Sequence, residues 1–325
     1  VTRLPAALAA LAVMSSAPAF DLQGHRGARG LAPENTLAGF ARALSLGVTT
    51  LELDAGVTED GVVVVCHDRR LNPDLARGTD GRWLRAPTRA IRELTFHELQ
   101  RYDVGRIRPG SEYSKRFPEQ RRMDGLRIPK LADVFELARR ARNDEVRFNI
   151  ETKLSPEAPE ETLGPEEFAR SLIAVVRASG VAERTTIQSF DWRTLAVVQR
   201  EAPEIAASYL SSQGAGIDNI GAGQPEASLW TAGIQFRDHG SVPKMVKAAG
   251  GAIWSPNYRD LDEARVKEAQ ALGLKVLPWT VNDPAEMERF IDWGADGLIT
   301  DYPDRLRDVM AAKGLTLPRP TPTTP

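Results

Sequence analysis

Eight short apolar runs alternate with helical patterns along almost the whole chain, and that order restricts the possible folds more than any other feature of the sequence. The runs fall at residues 20–25, 48–55, 146–151, 184–188, 205–210, 251–255, 274–279 and 296–300. Helical patterns lie between them, for example at 36–46, 131–142, 165–179, 191–200, 262–272 and 284–292, several closed by a glycine such as Gly47, Gly180 or Gly273. Strands that alternate with helices pair in parallel, and eight such units predict a closed (β/α)8 TIM barrel, an α/β fold, over residues 20–312.

That barrel needs roughly 250 residues, so a chain of 325 must carry an addition. It falls after the second strand. Residues 61–67, "GVVVVCH", read as an extra strand, and residues 68–128 are polar, Arg-rich and punctuated by Gly and Pro. The block reads as one excursion at the top face of the barrel, with Trp83, Leu94, Leu99 and Tyr102 available for a small core of its own. The ends differ in kind. Arg3, the apolar run from Leu4 to Val13 and Ala17-Pro18-Ala19 make residues 1–19 an expected secretory signal peptide, which implies export to the periplasm. The run is too short to span a bilayer. Residues 313–325, ending in "LPRPTPTTP", lack an apolar period and predict a disordered tail.

Charge narrows the partners. Lys plus Arg number 42 against 44 Asp plus Glu, which leaves no basic field for nucleic acid. The single cysteine, Cys66, excludes an intrachain disulfide and reads as a small apolar strand residue.

The chemistry gathers at strand ends. In "TLELDAGV", residues 50–57, Leu51 and Leu53 alternate with Glu52 and Asp54, so both acids share one strand face. With the leucines packed outward against helices, the carboxylates point into the barrel near the C-terminal end of strand two. In "FNIETK" Glu151 and Lys153 share a face at the end of the next strand. Like charges this close need a cation, and three carboxylates form an oxygen-rich nest suited to Mg²⁺ or Ca²⁺. His25 ends strand one, and His67, followed by Asp68, ends the extra strand, so both overhang the same mouth. Two imidazoles on opposite sides of a substrate can serve as base and acid. Arg26 offers a planar fork for a phosphate oxygen and Lys153 a point charge. This set describes phosphoryl chemistry, with metal-assisted enolisation of a carbonyl compound as the rival.

"HRGARGLAPENT", "LELDAGVTEDGVVVVCHD", "IPKL", "NIETK", "QSFDW", "LPWTVN" and "GADGLITDYPD" together resemble the glycerophosphodiester phosphodiesterase family. The resemblance implies a TIM barrel that hydrolyses small-molecule glycerophosphodiesters, such as deacylated phospholipids, to sn-glycerol 3-phosphate and an alcohol. It implies Glu52, Asp54 and Glu151 as ligands of one divalent cation, His25 and His67 as the acid–base pair, and Arg26 and Lys153 as phosphate contacts. It further matches Phe190 and Trp279 to aromatic residues near the glycerol or leaving group, and Gln188 and Asn282 to polar substrate contacts. A phospholipase D-like enzyme acting on lysolipids or sphingolipids and an exported, non-catalytic binding barrel are the competing readings. The sequence leaves open the leaving alcohol, the choice of Mg²⁺ or Ca²⁺, which histidine is the base, and the oligomeric state.

Overall fold

The computed structural model describes residues 20–214 and 216–325; the expected signal peptide lies outside them. Eight parallel strands form the barrel: β1 Asp21–Gly24, β2 Thr50–Val57, β3 Arg147–Thr152, β4 Thr185–Ser189, β5 Ala206–Ser211, β6 Ile253–Pro256, β7 Lys275–Val276 and β8 Gly297–Thr300. Each is followed by a helix of the outer ring: α1 Leu37–Leu46, α2 Leu131–Arg140, α3 Pro165–Ala178, α4 Trp192–Glu201, α5 Val242–Ala248, α6 Glu263–Ala271, α7 Pro284–Asp292 and α8 Pro303–Ala312. Pairing runs without a break from β7 through β6 to β1 and on to β8. The β7–β8 seam is closed by separate bonds, Asp296 N to Val276 O at 3.1 Å and Ile299 N to Pro278 O at 3.1 Å. Pro278 has no N–H to give a ladder, which is one reason the strand expected over 274–279 shrinks to two residues. No helix among the described residues is long and apolar enough to cross a membrane.

The alternation in β2 works as its pattern requires. Leu51 and Leu53 are fully buried in the core shared with Phe40 and Leu44 of α1 and Val134 and Phe135 of α2. Phe148 of β3 belongs to the same layer and meets Phe135 edge-on, with ring centroids 4.7 Å apart. Phe148→Ala is expected to cost about 3–5 kcal/mol of stability, measured by denaturant unfolding.

Several local expectations need correction. The extra strand is only Val63–Val65, antiparallel to β2, because the flanking residues turn away toward the site and a surface loop. In the insertion Leu94 and Leu99 join Leu71, Ala76, Ile91 and Ile128 in a second core, with Tyr102 packed against it. Trp83 stays out of that core and instead carries the Arg77 guanidinium 5.5 Å from its ring. The tail lies against the barrel: Thr321 N donates to Leu44 O at 2.8 Å, Asn143 Nδ2 donates to the Thr321 hydroxyl at 3.0 Å, and Arg307 donates to Pro318 O at 2.7 Å. Composition does not reveal this because an extended strap needs no apolar period when the Leu44 carbonyl and the Asn143 and Arg307 side chains hold its polar groups.

Candidate active site

The turn after β1 sets the first wall. Gly27 has φ +89°, and a Cβ there would lie 2.7 Å from Gly39 C; a Cβ on Gly24 would lie 2.2 Å from Gly27 O. Only glycine permits that approach of turn to helix. Arg26 and Asn35 take left-handed backbone angles, φ 51° and 53°, which cost energy in non-glycine residues and cluster at functional sites. The Arg26 N–H donates to Glu52 Oε2 at 2.9 Å, and Asn35 Nδ2 donates to Asp54 Oδ2 at 2.8 Å. Asn35 is therefore a carboxylate partner and not the cap of α1; Thr36 caps the helix by accepting from Gly39 N at 3.1 Å.

Parallel pairing brings the acids together. Asp54 and Glu151 are register partners across β2 and β3, and Glu52 lies two residues back on the same face of β2. Oxygens from the three carboxylates come within 4.8 Å of one another, all from buried residues. Arg26 Nε lies 3.2 Å from Asp54 Oδ2 as an ion pair without hydrogen-bond alignment, and Lys153 Nζ donates to Glu151 Oε1 at 2.6 Å. Asp54 Oδ1 has no hydrogen-bond partner, with Lys153 Nζ 3.8 Å away. Burial and the charge of Asp54 push the Glu52 carboxyl well up, and burial raises Glu151 to about 7 against the pull of Lys153. Asp54 stays well below the usual carboxylate range despite its burial, held there by Arg26 and His67. Three hard oxygen donors, one of them unpartnered, fit a divalent cation such as Mg²⁺ or Ca²⁺, so the cluster could hold a metal.

The histidines flank this cluster. His25 Nδ1 is 2.6 Å from Asp301 Oδ1, and its Nε2 is 3.9 Å from Glu52 Oε2. Asp301 is fixed in turn by Arg29, through Nε at 2.7 Å and Nη2 at 3.1 Å, and by Asn282 Nδ2 at 2.7 Å. A carboxylate so held favours the tautomer with the proton on Nδ1, leaving Nε2 free to accept. Burial and Arg29 lower His25 to about 4, opposed by Asp301. His67 Nδ1 lies 2.8 Å from Asp68 Oδ1, and its side chain is 31% exposed at the mouth. Partial burial together with Arg26 and Lys153 pushes its imidazole well below the ordinary value.

A cavity of about 620 Å³ opens over these groups. His25, His67, Glu52, Glu151, Arg26, Lys153, Gln188, Phe190 and Trp279 all reach it, and Asp54 sits behind them at the triad. Phe190 and Trp279 meet edge-on at 5.4 Å and form an apolar wall. Gln188 is already occupied: its Nε2 donates to Glu52 Oε1 at 2.8 Å and its Oε1 accepts from Asn149 at 3.0 Å. Asn282 does not line the cavity. Its Nδ2 donates to the Asp301 side chain at 2.7 Å and its Oδ1 accepts from the Asp301 N–H at 2.9 Å, so it supports Asp301. Arg26 is also less free than its sequence position suggested, because Glu34 accepts from its Nη1 at 2.6 Å. Glu34 further accepts from the Tyr113 hydroxyl, which comes from the insertion.

Sequence reasoning missed Asp301, Arg29 and Tyr113. Asp301 stands in "GLITDYPD" at the end of the last strand, and its position at a strand C-terminus was the available signal. Neither Arg29 nor Tyr113 had one.

The sequence profile of the Glycerophosphoryl diester phosphodiesterase family matches residues 25–305, which spans both histidines, the triad and Asp301. The chain belongs to this family. As a glycerophosphodiester phosphodiesterase it is a phosphoric diester hydrolase on a TIM barrel. A glycerophosphodiester phosphodiesterase of Caldanaerobacter subterraneus subsp. tengcongensis is 29% identical over 294 residues, covering 89% of this chain and 97% of that protein. The crystal structure of a Silicibacter pomeroyi protein superposes with a TM-score of 0.82 at 35% identity, over 92% of this chain and 95% of that one. An Oleispira antarctica phosphodiesterase in complex with the product sn-glycerol-3-phosphate shares the fold, with a TM-score of 0.65 at 22% identity over 90% of this chain and 97% of that chain.

Proposed function

We propose that this phosphodiesterase hydrolyses glycerophosphodiesters to sn-glycerol 3-phosphate and an alcohol, with a divalent cation at Glu52, Asp54 and Glu151 and with His25 and His67 moving the protons. The observation that carries the reading is the juxtaposition of the carboxylate triad with two imidazoles, each tied through Nδ1 to its own aspartate. When bound, the cation supplies charge neutralisation at the phosphoryl group and lowers the pKa of an oxygen nucleophile. Lys153 and the remaining fork of Arg26 add positive charge toward the same group. His25, with Nε2 free and Asp301 behind it to stabilise the imidazolium, accepts the proton of the attacking hydroxyl. That nucleophile is the glycerol 2-hydroxyl, already positioned within the substrate. An anionic diester over Arg26 and Lys153 offsets the charges that lower the His67 pKa, so that His67, nearer the mouth, carries a proton in the complex and gives it to the departing alcohol. Water then opens the cyclic phosphate, its proton passing to His67 while His25 returns the first proton to the 2-oxygen, which restores both imidazoles. Phe190 and Trp279 supply an apolar face for the substrate backbone.

A panel of glycerophosphodiesters with choline, ethanolamine, glycerol and inositol leaving groups tests this reading: release of sn-glycerol 3-phosphate from at least one is expected, and silence across all of them contradicts it. Metal affinity has a predicted sign with pH. A bound cation requires ionised carboxylates, and Glu151 holds a proton up to about 7. The apparent affinity therefore falls as pH drops through about 7, the raised Glu52 carboxyl adds to the same dependence, and protons are released on binding at pH 6; calorimetric titration with Mg²⁺ or Ca²⁺ in two buffers reads both. Export through residues 1–19 belongs to the same proposal, and N-terminal sequencing of the mature protein checks it.

A further inference from the structure

The cavity lining is uneven in charge. Phe190, Leu210, Ile217 and Trp279 are apolar members of it, while the wall that the insertion contributes carries Arg69, Arg70 and Arg116. Residues 68–128 hold fifteen Lys and Arg against nine Asp and Glu, a surplus of six in a chain whose net charge is −2. A basic insertion over an otherwise acidic chain concentrates positive potential at this mouth. Within the wall, Arg69 Nε and Arg70 Nε both donate to Glu161, each at 2.7 Å, so two guanidiniums share one carboxylate. Glu161 stiffens both forks, while neither Nη of Arg69 has a hydrogen-bond partner among the described residues. Arg116 is exposed and makes no salt bridge among them; its guanidinium rests 5.6 Å and 5.5 Å from the Tyr113 and Phe117 rings. Asp68, the other acid on this wall, is turned to His67 and Asn72.

We propose that this wall is an anion subsite, and that the preferred glycerophosphodiesters carry a second anionic group, a carboxylate or a phosphate, on the leaving alcohol. The inference rests on the function proposed above and names its substrate class. The side is assigned by the chain itself: His67, the proton donor to the leaving alcohol, runs directly into Asp68, Arg69 and Arg70. A leaving group protonated by His67 extends over those guanidiniums. Planar forks with free N–H groups match a carboxylate or phosphate and repel a quaternary ammonium.

The test compares kcat/KM at low ionic strength for four diesters whose leaving alcohols are choline, glycerol, glycolate and glycerol phosphate. The last two are expected to exceed choline by about tenfold, the scale of one charge-assisted hydrogen bond at a partly exposed site. Added salt should erode the difference. Arg69→Gln should shrink the ratio and Arg69→Glu should reverse it, with circular dichroism and thermal melting as folding controls. The salt dependence of the unaltered enzyme gives a reading that needs no variant. Equal kcat/KM for all four, or a preference for choline, overturns the anion subsite and leaves the phosphodiesterase reading standing. Failure to turn over any of the four contradicts that reading itself.

Discussion

His25→Ala and His67→Ala are each expected to lower kcat by about 10²–10⁴-fold, and the double variant by little more than the worse single one. The near-equality follows from the roles: proton removal from the nucleophile and proton delivery to the leaving oxygen belong to one displacement, so losing either stalls the same step. Asp301→Asn separates position from chemistry. An amide at residue 301 can keep the bond to Arg29 or Asn282, yet it no longer requires His25 to carry its proton on Nδ1. Activity should fall with KM little changed, and imidazole NMR should report the altered tautomer. Release of sn-glycerol 3-phosphate from a glycerophosphodiester with an alkyl alcohol leaving group, which needs protonation to depart, provides the rates. Near-normal turnover in either alanine variant contradicts the acid–base assignment.

Loss of a triad carboxylate should be as damaging. Asp54→Asn and Glu151→Gln are expected to weaken divalent-cation binding by at least about a hundredfold and to lower turnover in parallel. Asp54 is the informative position, because its Oδ1 has no hydrogen-bond partner and its carboxyl is the one held ionised by Arg26 and His67. Turnover by Asp54→Asn should recover only partly at high metal concentration, since the lost charge also faced Arg26 and Lys153. Calorimetry with added cation and circular dichroism of the metal-free variants distinguish lost binding from lost folding. Unchanged metal binding in both variants would remove the triad from the metal site.

The seven residues derived from strand position, His25, Arg26, Glu52, Asp54, His67, Glu151 and Lys153, were legible because each sits within or just beyond a strand. Alternation over "TLELD" and "NIETK" fixes which side chains turn inward, and the barrel then brings neighbouring strands into register. Contacts between distant segments carry no such periodic mark. Asp301 reaches His25 across 276 residues because β8 pairs with β1, and only barrel closure puts it there. Tyr113 reaches Glu34 from an irregular insertion whose path no pattern reveals. Asn282 is a further case: a polar residue in a motif invites a substrate role, and only the folded chain reveals that its amide bonds to Asp301. The contacts of the tail are hidden for a related reason, since a polar Pro-rich segment carries no mark of the Arg307 guanidinium and the Leu44 carbonyl that it meets.

The central claim is metal-dependent hydrolysis of a glycerophosphodiester at the triad. Phosphorus NMR of the EDTA-stripped protein with a mixture of glycerophosphodiesters, before and after Mg²⁺ or Ca²⁺ is restored, tests it most directly. The account predicts no new phosphomonoester signal before addition and growth of sn-glycerol 3-phosphate after it; equal release with and without the cation, or none under either condition, would contradict it.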